Sequence, residues 1–499
     1  GGRSIRVRGV VRFARHRGMS SLDARLHDVV RYLRQVRPLD PAEVATYVDS
    51  DAPTVDASLT AHATEWGLIR DDMGCYRPAP TTVVPDTGWA PQTLPASIIE
   101  AGSELLEAYG GASWAVGASG DRLREALDAL KADYLAGETV HYDRATALAY
   151  LIYHLPRYYA TMGYVLGPLI EAELLGRPVR IAEVGAGTGG PMLGIGDRLG
   201  PQTLIEYHAI EPSPAVEVLE AMCAETGPNL HTHLHRCSVE EWLDDPGAPF
   251  DLIVCANVLG ELQAPTEVAA ALLGCLTDAG ALVLVEPGDR DQSVRLRAVE
   301  RSLTSQAGVF APEPRLWPGR EPTDTGWGFD VGRQLEPPRW QRALQGAAAE
   351  PTGTTYLNPH VQFSYSILRP DGAVRFAPSF DRERVTPLAT TPQKITDRIN
   401  VVGTKLSHDL AATDGGNPIF RVGDGSQSVD HFVVKTVEGE LVDPIDWVAY
   451  GSVCRFEGVL VLWNEAEEAV NLIVDHESVV EPLATPGRRA NAFGRRPVA

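Results

Sequence analysis

Residues 183–191 read Glu-Val-Gly-Ala-Gly-Thr-Gly-Gly-Pro and follow the apolar run VRIA. Glycines at alternate positions let a backbone turn sharply and approach a ligand with no Cβ in the way. Two cofactor classes use such a turn. A dinucleotide rests its pyrophosphate on the following helix N-terminus; S-adenosylmethionine (SAM) brings an ammonium and a sulfonium instead. Glu183 discriminates, because a carboxylate at the strand end repels a pyrophosphate and suits the positive methionine end of SAM. Glu211, in AIEPS, ends a second apolar run, where a carboxylate can accept both ribose hydroxyls. An acid there fits a dinucleotide equally well. Together with Gly185, Gly187 and Gly189, the two acids point to SAM.

Further positions follow from the same geometry. CSVEEW (237–242) lies where the adenine of such a cofactor belongs. Ser238 and Glu240 can bond its amino group, and Val239 can pack on its face. NVLGEL (257–262) follows a later strand, beside the transferable methyl. Asn257 there either meets a substrate or caps the next helix. HTHLHRC puts His231, His233, His235 and Cys237 on one face of a strand, a spacing able to bind zinc or nickel. A strand packed on both faces would hide such a set, so no metal is expected.

The elements that must position these residues alternate. VRIAEVG, LIEYHAIEPS, LHTHLHRC, FDLIVCANVL and GALVLVEPG read as strands, separated by helical stretches at 192–199, 215–225, 266–276 and 292–307. Short apolar strands alternating with helices predict a parallel, doubly wound sheet over 177–384, that is, a Rossmann-like class I SAM-dependent methyltransferase fold in the α/β class. Ahead of it, 98–176 is a helical lead-in broken at Pro156 and Pro168. Residues 81–97, rich in proline and threonine, read as a linker. Three helices and a hairpin over 20–80 resemble a winged helix. Its third helix carries Asp56 and Glu65 and no lysine or arginine, which disfavours DNA and favours protein contact. After 385, short strands divided by Gly, Asp and Asn turns predict a small OB-like β-barrel to about 485. Phe420, Arg421, Phe432, Lys435 and Arg455 are either its nucleic-acid face or its core. Residues 1–19 form a basic arm and 486–499 a basic tail.

Composition bounds the function. The net charge is −22, and only Lys131, Lys394, Lys405 and Lys435 are lysines. Dense carboxylates with almost no lysine suit a salt-loving archaeon; a GC-rich genome is the alternative. The basic run RSIRVRGVVRFARHRG (3–18) suggests an RNA contact, or an extension ahead of Met19. No apolar run is long enough to span a membrane. Six scattered cysteines without a CxxC pair suit a reducing cytoplasm.

YHLPRYYATMGYVL, EVGAGTGGP, DLIVCANVLGEL, GALVLVEPGD, FAPEPRLWP, TGWGFDVGRQL and FSYSILRPDG occur in one order. Over about 150–372 this series resembles the methyltransferase-like ribosomal small-subunit assembly family, known from its mitochondrial member. The resemblance implies a SAM-dependent methyltransferase fold that acts on, or docks to, the small ribosomal subunit and its rRNA. Members of that family often carry four cysteines, taken to hold an iron–sulfur cluster. Here Glu313, Trp317 and Gly328 stand where cysteines are expected, and 311–330 contains none. No iron–sulfur cluster is therefore expected; Trp317, Trp327 and Phe329 are expected to hold the loop by packing. Two other readings stay open: a small-molecule O-methyltransferase, against which stands the lack of a histidine after the fourth or fifth strand, and a non-catalytic assembly factor.

Overall fold

The structure is a computed structural model. It describes residues 21–486 apart from 35–37, 65, 72, 79–88, 137–142, 176–177, 349–354, 413–414 and 437–443. The basic arm, most of the basic tail and half of the linker lie outside the described residues. The chain divides into two compact units, 1–80 and 81–499.

In the first unit, helices α1 (Ser21–Leu33), α2 (Pro41–Val48) and α3 (Ala52–His62) precede a hairpin of β1 (Leu68–Arg70) and β2 (Tyr76–Pro78). Asp40 caps α2 through the Ala42 amide, with Pro41 in the first turn; Asp51 caps α3 through Thr54. Leu26, Val30, Val44, Val48, Val55 and Leu59 close the core between the helices. Asp56 is not free on its helix. It pairs with Arg70 at 3.1 Å and accepts from the Tyr76 hydroxyl at 2.9 Å, which ties α3 to the hairpin.

The second unit opens with α4 (Ala96–Gly110), α5 (Gly117–Ala136), α6 (Arg144–Tyr153), α7 (Leu155–Val165) and α8 (Gly167–Glu171). Pro156 and Pro168 stand in the first turns of α7 and α8, so the helical run breaks where proline can start a helix but not continue one. Strand and helix then alternate: β3 (Val179–Val184), α9 (Gly190–Leu199), β4 (Ile205–Ile210), α10 (Val216–Cys223), β5 (Leu230–His235), α11 (Val239–Leu243), β6 (Phe250–Ala256), α12 (Pro265–Leu273), β7 (Leu276–Pro287) and α13 (Arg290–Ser302). The five strands and four of the helices match the pattern; the short α11, between β5 and β6, is an addition to it. Three more strands and a helix follow: β8 (Gly308–Ala311), β9 (Asp330–Val331), α14 (Arg339–Gly346) and β10 (Gln362–Arg369). The sheet runs β5-β4-β3-β6-β7-β10-β8, with β10 antiparallel to β7 and to β8, and β9 paired to β10. The order reverses between β3 and β6, where a doubly wound sheet opens its ligand crevice. This is the class I methyltransferase arrangement.

Apolar side chains cover both faces of the central strands. The lead-in helices press closely on one face. A Cβ on Gly194 of α9 would lie 2.2 Å from the Tyr159 carbonyl of α7, so only glycine permits that approach. Trp340 of α14 packs over Gly102 of α4 and donates its indole N–H to the Ile152 carbonyl at 3.2 Å. The expectation that the histidine strand is packed on both faces is corrected. β5 is the sheet's edge, and His233 is exposed.

The C-terminal strands are β11 (Arg398–Lys405), β12 (Ile419–Gly423), β13 (His431–Lys435), β14 (Val453–Asn464), β15 (Ala469–Val474) and β16 (Val479–Ala484), with a short helix α15 (Pro444–Trp447) after β13. Pairing runs β11-β12-β13-β15-β14 and back to β11, so five strands close a small barrel, and β16 adds to β14. Closure leaves each of the five barrel strands paired on both sides. The residues read as a possible nucleic-acid face belong to the interior or to ion pairs. Phe420 and Phe432 are buried, Arg421 is 1% exposed, Lys435 pairs with Asp446, and Arg455 with Glu457 and Glu481.

The loop over 311–330 is held differently from the packing expected. Trp317 donates to Asp424 at 2.6 Å and Trp327 to Asp430 at 3.0 Å, both acids of the barrel. Glu313 accepts from Gln427 at 2.7 Å. Arg421 sits between Asp324 of the loop and Asp430. The tryptophans do pack, Trp317 on Phe380 and Trp327 on Phe329 and Phe432. Polar bonds to the barrel do the rest.

Candidate active site

The turn between β3 and α9 has Gly185, Gly187 and Gly189 at φ +70°, +54° and +87°. Those angles are costly for residues with a Cβ, which explains the alternate glycines. The Gly185 and Ala186 amides bond back to the Ile210 carbonyl at 2.9 and 3.1 Å.

Glu211, at the end of β4, closes the same turn. Its carboxylate accepts from the Gly187 amide and from the Ser213 amide, each at 2.8 Å. It is a clamp on the loop before it is anything to a ligand. Each carboxylate oxygen keeps further acceptor capacity, so the clamp and a ribose contact are compatible. Glu183 lies deeper than expected, with no exposed surface. The Tyr207 hydroxyl donates to its Oε2 at 2.5 Å, and its Oε1 has no partner. Burial pushes its carboxyl up to about 8. Burial thus favours its protonated form, against the standing negative charge that the sequence suggested. An unpartnered oxygen buried beneath a glycine cradle fits a ligand carrying a hydrogen-bond donor or positive charge.

The adenine positions are corrected in part. Ser238 caps α11: its hydroxyl accepts from the Glu241 amide at 3.2 Å, while the Glu241 carboxylate accepts from the Ser238 amide at 3.0 Å. The cap uses the Ser238 hydroxyl as an acceptor and leaves its own proton free to donate. Val239 is 5% exposed and belongs to the core with Trp242 and Ile210. Glu240 is exposed.

Asn257 follows β6 at φ +57°, with its amide bonded to the Val285 carbonyl at 2.8 Å. The next helix, α12, begins at Pro265, so Asn257 does not cap it. Its left-handed backbone instead opens onto a cavity of about 490 Å³ at the carboxyl ends of β6 and β7. Glu286, at the end of β7, faces the same cavity. It is 2% exposed, accepts from the Leu259 amide at 3.0 Å, and is pushed by burial up to about 8.

The other wall comes from α6 and α7. Tyr150, Tyr153 and Tyr158 surround His154, with ring centroids 4.5, 5.0 and 5.4 Å from the imidazole. His154 Nδ1 is buried without a hydrogen-bond partner, and burial, then Arg157 and Lys131, push the ring down to about 3. A Cβ on Gly187 would lie 3.8 Å from the Tyr150 ring, so this wall stands beside the glycine turn. Asn358, His360 and Gln362, just before and within β10, complete the rim. Histidine thus reaches the cavity from an element ahead of the sheet, which corrects the objection that none lies nearby. The aromatic run YLIYHLPRYY carried the signal: tyrosines and histidine at helical spacing around a proline break.

Three family profiles match. One described as a methyltransferase domain covers residues 157–336; the N- and C-terminal domains of a domain of unknown function, DUF8157, cover 23–72 and 389–483. No curated protein matches in sequence. Among solved structures, the plantazolicin methyltransferase BamL, solved with SAH, is 13% identical over 55% of this chain and 98% of its own, with a TM-score of 0.27. Mitomycin 7-O-methyltransferase MmcR is 13% identical over 70% and 94%, at 0.27. Fibrillarin from Aeropyrum pernix, solved with SAM, is 14% identical over 42% and 76%, at 0.26. Likeness at these scores says nothing of an acceptor.

Proposed function

We propose that this chain is a SAM-dependent methyltransferase whose acceptor enters the cavity between Asn257, Glu286 and His154. The observation that carries the reading is the convergence of these three polar groups on an aromatic cavity beside the glycine turn. SAM, when bound, supplies an electrophilic methyl group. The glycine cradle, Glu183 and Glu211 are the residues suited to hold it. The tyrosines of α6 and α7 offer stacking surfaces to a flat ring. Asn257 can orient it through a side-chain amide that both donates and accepts. His154, with Nδ1 buried and unpartnered, can accept a hydrogen bond from an O–H or N–H nucleophile and orient it, while burial keeps the ring a weak base.

For the acceptor, we propose a base in the rRNA of the small ribosomal subunit. The ordered motif series supports this, and a cavity of about 490 Å³ has room for one base taken out of its stack. The barrel supports an OB-like reading through its pairing order and the helix between its third and fourth strands. The three helices and hairpin of the first unit support a winged-helix-like reading. Among the described residues neither offers an obvious nucleic-acid face, so RNA contact through the basic arm at 3–18 is the proposal. A cytoplasmic location and a high-salt host belong to the same reading; among the described residues no helix is long and apolar enough to cross a membrane. The aromatic lining of the cavity around its histidine favours one alternative, a small aromatic O–H or N–H compound.

The test has two arms. Calorimetry should show binding of SAM and not of NADH. Pulldown from native lysate, with RNA sequencing and labelled methyl transfer, should return small-subunit rRNA carrying the label. His154→Ala should lower the transfer rate while leaving SAM affinity intact, through loss of a hydrogen bond that orients the acceptor. Label on a small molecule only would replace the rRNA acceptor, and NADH binding without SAM would overturn the cofactor.

A further inference from the structure

The edge of the sheet farthest from the cavity's strands carries a second group of ligating side chains. β4 and β5 are parallel neighbours, with Glu206 opposite His231, His208 opposite His233 and Ile210 opposite His235. One face of the pair therefore presents a carboxylate and four imidazoles. Glu206 Oε1 lies 2.9 Å from His208 Nε2 and 3.9 Å from His233 Nε2, and one ligand atom from each of the three lies within 4.8 Å of the others. The His208 and His233 rings stack at 4.6 Å. His208 Nδ1 is 3.0 Å from His235 Nε2.

We propose that Glu206, His208 and His233 bind a divalent transition metal of the zinc class. Zinc held tetrahedrally at its usual bond lengths separates its ligand atoms by about 3.3 Å, so side-chain shifts of about an ångström close the set. Two imidazoles and a carboxylate are a donor set for borderline metals and not for magnesium or calcium, which take oxygen. His235 supplies the outer contact: bonded to Nδ1 of His208, it turns the opposite nitrogen toward the metal. The site already receives a positive group. Arg180 Nη2 lies 3.2 Å from His208 Nε2, and its Nε lies 3.3 Å from Glu206 Oε1. The guanidinium occupies the position of a cation between the two ligands, and a metal must displace it. His233, 52% exposed on the sheet's edge, leaves an entry path from solvent. Three protein ligands leave a fourth position for water.

The metal would link β4, which leads to Glu211, to β5, which leads to the Ser238 turn. The site does not rest on the methyltransferase reading, and its test needs no activity.

The experiment uses the full chain without an affinity tag, stripped with a chelator. Zinc(II) is titrated by calorimetry, and cobalt(II) is followed by its visible d–d bands. One equivalent should bind, with bands of nitrogen and oxygen coordination. His233→Ala, at an exposed position that need not disturb the fold, should weaken zinc more than roughly tenfold. Glu206→Gln should weaken it too. Arg180→Gln should tighten it by removing the competing cation. Zinc affinity unchanged in both His233→Ala and Glu206→Gln, or no d–d bands at one equivalent of cobalt, would overturn the site.

Discussion

Replacing Glu183 by glutamine isolates the energy of one buried acid. The carboxyl has no exposed surface, one oxygen bonded to Tyr207 and one unpartnered. Burial raises it from 4.5 to about 8. Between those values the folded chain keeps a proton that the unfolded chain has lost. The folded state thus binds more protons, and stability falls as pH rises. The contribution is fully present below about pH 4.5, declines by about 1.4 kcal/mol per pH unit, and stops declining above about 8. From pH 5 to 7.5 the loss is about 3 kcal/mol. Glutamine carries no proton to lose, and its carbonyl can still accept from the Tyr207 hydroxyl. Urea unfolding of parent and Glu183→Gln across that range, at constant salt, gives a difference curve in which all other titrating groups cancel. The variant should gain on the parent steadily with pH. A flat difference curve would show that Glu183 is already ionised in the folded chain and would return it to the standing negative charge of the sequence reading.

Glu211→Ala should act twice: loss of charge-assisted bonds to the Gly187 and Ser213 amides should cost roughly 2–4 kcal/mol of stability without any ligand, and calorimetry should show weaker SAM binding. Unchanged stability would mean that the glycine turn does not need its clamp. Arg421→Met leaves the buried acids Asp324 and Asp430 short of a cation and should cost about 3–5 kcal/mol in urea unfolding; restoration by the added change Asp324→Asn would identify charge as the cause. With a net charge of −22, thermal unfolding should move upward from low salt to molar KCl, as the screening length falls from about 10 Å to about 3 Å; a falling midpoint would remove carboxylate repulsion as a limit on stability.

The sheet was legible because each central strand is an apolar run ended by glycine, proline, asparagine or an acid, and both faces of those strands are buried. β8 and β10 were less so. FSYSILR is an antiparallel insertion between β7 and β8, and nothing local in a strand states its partner. The glycine turn announced itself through residues that only positive φ requires. The cavity did not, because His154 and Asn257 meet only after α6 and α7 fold back against the sheet. The sequence reading places Ser238 and Glu240 on adenine and does not include the capping box that Ser238 forms with Glu241, three residues on. Phe420 and Phe432 alternate along their strands as a barrel core must, and alternation alone does not say which side faces in. For 311–330 the missing cysteines were plain, but the acids that bond its tryptophans, Asp424 and Asp430, lie between β12 and β13, about 100 residues later.

The rim of the cavity has a bearing on the order in which the protein is made. The glycine turn, Glu211, Asn257 and Glu286 all emerge from the ribosome before Asn358, His360 and Gln362. Trp340, which seats α14 against α4 and α6, also arrives late. A growing chain can therefore own a complete cofactor cradle while its acceptor cavity still lacks one side. The loop at 311–330 waits longer, since Asp424 and Asp430 lie in the barrel. Synthesis must run nearly to its end before all three parts hold one another, so a chain released early is left with buried acids exposed and an open cavity. In such a fragment the cavity lacks the side that Asn358, His360 and Gln362 complete.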